Sequence, residues 1–307
     1  MRQVRFVLAL AGPLAVATAL LVSPAAAAPR VGHEGDAFCA VAAFDSVNAL
    51  TARSADVPKE PTLNEPVEAL PESAKGKGGP RFRATIPVYF HVITPDGVVG
   101  NVSQAKIDEQ ISVLSLGFGG FYGGANTKFR FTLAGVTRTT NAEWFNAGPG
   151  SPAERAMKKA LSRGGLGALN YYSTTAGPYL GWAYLPGLTP PRQYLDGIVV
   201  DWESMPGTSS AYAGRYDLGY TATHEAGHWL GLEHTFYGGC NAKGDYVDDT
   251  PPMKVPTSGC PVGKDTCREP GLDPIHNFMD YSYDSCYFEF TAGQAARMQD
   301  HYLHFRA

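Results

Sequence analysis

His224-Glu225-Ala226-Gly227-His228-Trp229-Leu230-Gly231-Leu232-Glu233-His234 places three imidazoles and a carboxylate where one divalent metal could hold them together. Residues four apart on an α-helix lie about 40° apart around the axis and roughly 6 Å along it, so His224 and His228 leave one face and can chelate a single ion. Glu225, one position on, stands beside that ion, where a carboxylate can take a proton from water and pass it to a leaving amine. A zinc ion lowers the pKa of such a water to about 7. Gly231 tolerates the left-handed conformation that ends a helix and turns the chain sharply, which lets His234 return as a third ligand. Three protein ligands leave an open coordination position, the mark of a catalytic zinc. A bare HExxH arises by accident, but a glycine and a third histidine at fixed offsets make surface histidines on an ordinary amphipathic helix a poor alternative.

The chain has 307 residues, enough for one large domain or two small ones, and its 35 glycines and 23 prolines suggest many loops. A net charge of −4 offers no basic face for nucleic acid. Arg2 and Arg5 precede an apolar run over residues 6–22, then Ser23-Pro24 and four alanines, the layout of a secretory signal peptide over residues 1–28. No second apolar run is present to anchor the chain in a membrane, so the protein is expected to be secreted into an oxidising, extracellular setting. Its expected partners are protein or peptide substrates, with the oligomeric state open. Cys240, Cys260, Cys267 and Cys286 crowd behind the histidine motif and imply two disulfides with three possible pairings, while Cys39 stands apart. No CxxC spacing supports a zinc ribbon.

Residues 29–82 hold few large apolar side chains and cannot bury a core, and Lys75-Gly-Lys-Gly-Gly-Pro80 reads as an exposed linker. This stretch is either a disordered tail or a prosegment in which the Cys39 thiolate takes the open zinc position as a zymogen switch. The folded domain, 83–307, opens with a strand over residues 84–93 and a turn at Thr94-Pro-Asp-Gly97. Ser103 caps a helix with Ile107, Ile111, Leu114 and Phe118 at helical spacing. Lys128-Phe-Arg-Phe-Thr-Leu133 alternates as a strand, residues 152–162 form a helix, and residues 168–172, 180–185 and 197–200 add short strands. Strands alternating with helices predict an α/β sheet with the zinc helix packed beneath it. Beyond His234 regular structure fades. Asp245, Asp248, Asp249 and Thr250 lie among glycines in a loop whose composition suits calcium. Thr291 caps a last helix reaching about Leu303, on which His301 and His304 are expected to be packing or surface residues.

With His234 included, the chain resembles the metzincin metalloproteases, and Asn277-Phe-Met-Asp-Tyr-Ser-Tyr-Asp-Ser-Cys286 looks like the Met-turn region of the pappalysin family. Asp249-Thr-Pro-Pro252, the cysteine positions, Phe290-Thr-Ala-Gly-Gln and Arg297-Met298 agree. The resemblance spans residues 84 to the end, with the specific motifs in 220–300. It implies a twisted, mostly parallel sheet with an antiparallel edge strand and a loop-rich C-terminal subdomain. It matches His224, His228 and His234 to the zinc ligands, Glu225 to the general base, Met279 to the Met-turn and Tyr281 to a phenol that hydrogen-bonds the oxyanion. Asp284 matches an acid lining the pocket just past the cleaved bond, which would favour Arg or Lys there. Relatives often carry two acids at that point, whereas this chain has Tyr283 before Asp284. Gly181, Trp182 and Ala183 fall on the edge strand above the cleft, to which an extended peptide can add. The implied disulfides are Cys240–Cys267 and Cys260–Cys286. Cys39 sits where some relatives have Cys-Gly, but Ala40 follows it here.

Together these features predict a secreted zinc endopeptidase made as a zymogen and released by cleavage at Arg81, Arg83 or the preceding linker. The rival is a catalytically silent secreted protein that binds metal or peptide; it has little reason to keep Glu225 beside an intact histidine triad. An exopeptidase would need a site for a free chain terminus, and none is evident.

Overall fold

The computed structural model describes residues 70, 71, 73, 75–188, 190–241 and 243–307. The expected signal peptide, Cys39 and the expected prosegment up to residue 69 lie outside the described residues.

Strand β1, Ala84–Thr94, buries Ile86, Val88, Phe90 and Val92 completely, and strands line up on both its sides. It runs parallel to β2, Phe129–Thr140, and to β3, Leu169–Thr174. Beyond β3 lies the parallel β5, Ile198–Asp201, and then the edge strand β4, Gly181–Ala183, antiparallel to β5. The order β2-β1-β3-β5-β4 is the expected mixed sheet with one antiparallel edge. Parallel neighbours need crossovers. Helix α1, Gln104–Phe118, joins β1 to β2; α2, Ala142–Phe145, and α3, Pro152–Leu161, join β2 to β3. Ser103 and Ser151 cap α1 and α3 by accepting the N–H of Lys106 and Glu154.

Side chains alternate across the sheet and divide the core in two. Tyr171 and Ile198 face one apolar cluster with Leu114 and Phe118 of α1, Trp229 of α4 (Tyr220–Trp229) and Met298 of α5 (Ala292–Phe305). Their sequence neighbours Tyr172 and Val199 face the other, with Met157 and Leu161 of α3. Each large apolar side chain buried this way contributes about 1.5–3 kcal/mol, which seats α4 firmly under the sheet.

Two boundaries differ from expectation. β2 continues past Leu133 to Thr140, because it is a sheet edge whose second half is only partly buried and carries Thr137, Arg138 and Thr139 where apolar alternation would have marked a strand. Its pairing slips between Val88 and Tyr89. β4 keeps only residues 181–183 of the expected 180–185. Among the described residues from 235 to 283 there is no helix or strand, and two disulfides, Cys240–Cys267 and Cys260–Cys286, hold this region as the resemblance implied. The 75–80 linker is largely exposed, yet the N–H groups of Gly76 and Gly78 donate to Asp300 at 2.7 and 2.9 Å, and that of Gly79 to Gln299 at 2.9 Å.

Candidate active site

Helix α4 carries His224, Glu225 and His228, all buried. The helix ends at Leu230, and Gly231 takes φ +98°, the left-handed turn its position demands. A Cβ on Gly231 would stand 2.3 Å from Nδ1 of His301, so the turn is packed against α5 as well as conformationally special. Arg297, also on α5, donates its Nε–H to the Gly231 carbonyl at 2.8 Å. After this turn His234 comes back to the helix. The three Nε2 atoms form a triangle with sides of 3.0, 3.1 and 3.2 Å.

Three such nitrogens repel unless protons or a cation lie among them. Behind the triangle, Nδ1 of His224 lies 2.6 Å from the Phe278 carbonyl and Nδ1 of His228 lies 2.7 Å from that of Leu232. A carbonyl only accepts, so both Nδ1 atoms carry the proton and both Nε2 lone pairs face inward. A tetrahedral zinc with bonds of about 2.0–2.1 Å holds its ligands only slightly further apart than this triangle. The residues therefore fit a zinc ion.

Met279 lies against Gly227 of the helix. A Cβ on Gly227 would come within 2.5 Å of its sulfur, so the glycine inside the histidine motif is the space the methionine occupies. The Asn277 side chain accepts the Met279 N–H at 3.0 Å and joins α5 through Gln294. The Tyr281 ring lies 4.9 Å from His234 and 5.7 Å from His224. Phe236, which motif reasoning did not single out, stacks on His234 at 4.6 Å and meets Tyr281 at 4.9 Å.

A pocket of about 120 Å³ opens beside His224 and Glu225, between Tyr179, Leu180 and Gly181 on one side and Thr257, Asp280, Tyr281 and Asp284 on the other. Asp284 lines this pocket, 2 % exposed and braced against the start of α4, with Oδ2 accepting the Leu218 N–H at 2.8 Å. Its Oδ1 is buried with no hydrogen-bond partner among the described residues. Burial pushes its carboxyl up to about 7, against the pull of the Leu218 and Tyr220 N–H groups. A second acid shares the pocket: Asp280, whose carboxyl is also raised by burial and which accepts the Thr257 N–H at 3.0 Å. Its place directly after Met279 was the available signal.

Of the three edge-strand residues matched to substrate binding, only Gly181 lines the pocket. The Trp182 side chain does not face the cleft. Side chains alternate along a strand, so its indole points through the sheet and donates to Glu154 at 2.8 Å. Ala183 is half-buried outside the lining, which Tyr179 and Leu180 join from just before the strand.

The acidic loop is not gathered around a point. Asp249 accepts from Thr291 Oγ1 at 2.6 Å and the Gly293 N–H at 2.8 Å, which bolts the loop to the start of α5. Asp245 is buried and accepts from Thr250 Oγ1 at 2.7 Å, while Asp248 is exposed. Among the described residues, the groups of three or more side chains able to hold a metal are the histidine triad and two clusters built on disulfide cysteines. His301 is fully buried under Gly231 and His304 is exposed, so neither reaches the triad.

A profile of the peptidase M43 family, described as pregnancy-associated plasma protein-A, matches residues 209–302. Extracellular metalloprotease 1 of Coccidioides posadasii is 41% identical over 293 residues, covering 93% of this chain and 95% of that protein. An extracellular metalloprotease of Pyricularia oryzae is 45% identical over 229 residues, covering 73% and 76%. Among solved structures, mature mirolysin of Tannerella forsythia in complex with a cleaved peptide superposes with a TM-score of 0.59 at 29% identity, covering 72% of this chain and 92% of that one.

Proposed function

We propose, from the premise that this chain belongs to the pappalysin family of metalloendopeptidases, that it is a secreted zinc enzyme whose pocket favours Arg or Lys just after the cleaved bond. The reading rests above all on the triangle of Nε2 atoms with Glu225 beside it. His224, His228 and His234 would hold the ion, which supplies Lewis acidity toward the scissile carbonyl and toward water. Glu225 takes the proton of the attacking water and delivers it to the departing amine. Tyr281, packed on two of the histidines, donates its hydroxyl to the developing oxyanion. The Leu180 carbonyl is taken by the Asp201 N–H of β5 at 2.7 Å, and Gly181 and Ala183, out of phase with it, present backbone from which an extended substrate can take strand hydrogen bonds. Maturation by cutting within 75–83 is part of the same reading, supported by the exposure of Arg81 and Arg83.

Mass spectrometry of a peptide library digested with and without a zinc chelator tests this directly. Cleavage abolished by the chelator and restored by zinc is the expected result, and chelator-insensitive cleavage refutes the metal reading.

The basic preference carries its own test. Asp284 is neutral below about pH 7 and charged above it, so its attraction for a cation grows as the pH rises through that value. The ratio of kcat/KM for an Arg peptide to that for its neutral citrulline counterpart should therefore climb between pH 5.5 and 8.5. In Asp284→Asn the ratio at high pH should fall by about 10–100-fold, the worth of a hydrogen bond to a charged group, and lose its slope. An unchanged ratio removes Asp284 from the pocket's selectivity.

A further inference from the structure

We propose that Glu154, on the opposite side of the sheet from the histidine helix, is a positioning residue for substrate, fixing the height of the edge strand β4 over Glu225. The proposal rests on the reading of β4 as the strand that pairs with an extended peptide.

Glu154 and Lys158 lie one turn apart on α3, paired at 2.9 Å with both side chains at zero exposure. A charge pair removed from water this completely costs desolvation that an apolar pair would avoid, so its stabilising value is no explanation for it. What it organises is more specific. Oε1 of Glu154 accepts from the Trp182 indole N–H at 2.8 Å as well as from Lys158, and Oε2 accepts from the Tyr184 hydroxyl at 3.0 Å and the Gly150 N–H at 2.6 Å. Lys158 in turn donates to the Leu195 carbonyl at 2.8 Å and lies 4.5 Å over the Tyr184 ring. Trp182 is the middle residue of β4 and Tyr184 follows its last, so one rigid carboxylate ties down two side chains that flank Ala183.

The strand needs that hold. β4 is three residues long and meets β5 through three residue pairs. Toward the cleft it has no slack, since a Cβ on Gly181 would stand 2.8 Å from Oε1 of Glu225 and 3.0 Å from its Cγ. The general base thus limits the strand from below, and Glu154 anchors it from behind. A β4 free to shift presents its peptide groups out of plane to a substrate, and the loss falls on peptide binding more than on proton transfer.

Trp182→Phe and Tyr184→Phe each remove one donor and keep the ring, while Glu154→Gln/Lys158→Met neutralises the pair without leaving a lone buried charge. Each is assayed on a peptide and on the same peptide N-methylated at the three residues before the cleaved bond, which cannot donate strand hydrogen bonds from those positions. The full-length protein matured in the same way as the unaltered one is used throughout. KM for the ordinary peptide should rise about five- to tenfold, the worth of about one hydrogen bond, with kcat, zinc content and KM for the methylated peptide little changed. If the unaltered enzyme handles both peptides alike, the strand-pairing reading fails. If it separates them and the folded variants keep its KM, the role given to Glu154 fails.

Discussion

Glu225→Gln should bind zinc as the unaltered protein does and hydrolyse peptides about 10²–10⁴-fold more slowly, the range that a positioned general base contributes. Glutamine keeps the size and polarity of the side chain but has no oxygen basic enough to take a proton from water. None of the triad's supports depends on the change: the carbonyls of Phe278 and Leu232 still orient His224 and His228, and the Gly231 turn still delivers His234. Metal content by atomic absorption and kcat/KM on one peptide separate the two functions. Unchanged zinc with near-normal hydrolysis sinks the assignment of Glu225, whereas loss of zinc makes it a ligand support.

Gly231→Ala should lower zinc affinity by on the order of 10–100-fold, the cost typical of disturbing what orients a metal ligand, and lower stability with it. Two independent strains act at this residue. A φ of +98° lies where side-chain-bearing residues are rarely found and costs about 1–3 kcal/mol. The new methyl would also stand 2.3 Å from Nδ1 and 2.5 Å from Cγ of the His301 ring, which is wholly buried and has little room to retreat. If the chain relieves either strain by moving the turn, His234 moves with it and the Arg297 bond to the Gly231 carbonyl is lost. Competition with a chromophoric chelator gives the affinity, and thermal unfolding of the metal-free protein gives the stability. Adding His301→Ala should return part of the lost stability, since it relieves the collision and leaves the backbone strain. Wild-type zinc affinity in the single variant would show that the turn does not place His234.

The metal site was legible because its logic is local. All five of its elements fall within eleven residues, and helix geometry with the Gly231 turn brings His224, Glu225, His228 and His234 together with no knowledge of the rest of the chain. The elements set by periodicity and caps were legible for the same reason, as α1 behind Ser103 and α5 behind Thr291 illustrate. The second half of β2 was not, because an edge strand needs no apolar alternation where one of its faces meets water.

Residue types and spacing alone determined which groups meet here: three imidazoles able to hold a metal and a carboxylate beside them. Tertiary structure alone decided what surrounds that chemistry. It turned the Trp182 indole away from the cleft and onto Glu154, filled the space at Gly227 with Met279, and brought Asp280 into the pocket with Asp284. It spent Asp249 on the start of α5 and kept the aspartates of its loop apart. The physical reason is range. Backbone geometry reaches only a few residues along the chain, whereas which face of a strand meets the cleft and which carboxylate finds an N–H donor depend on segments tens of residues away that packing brings alongside.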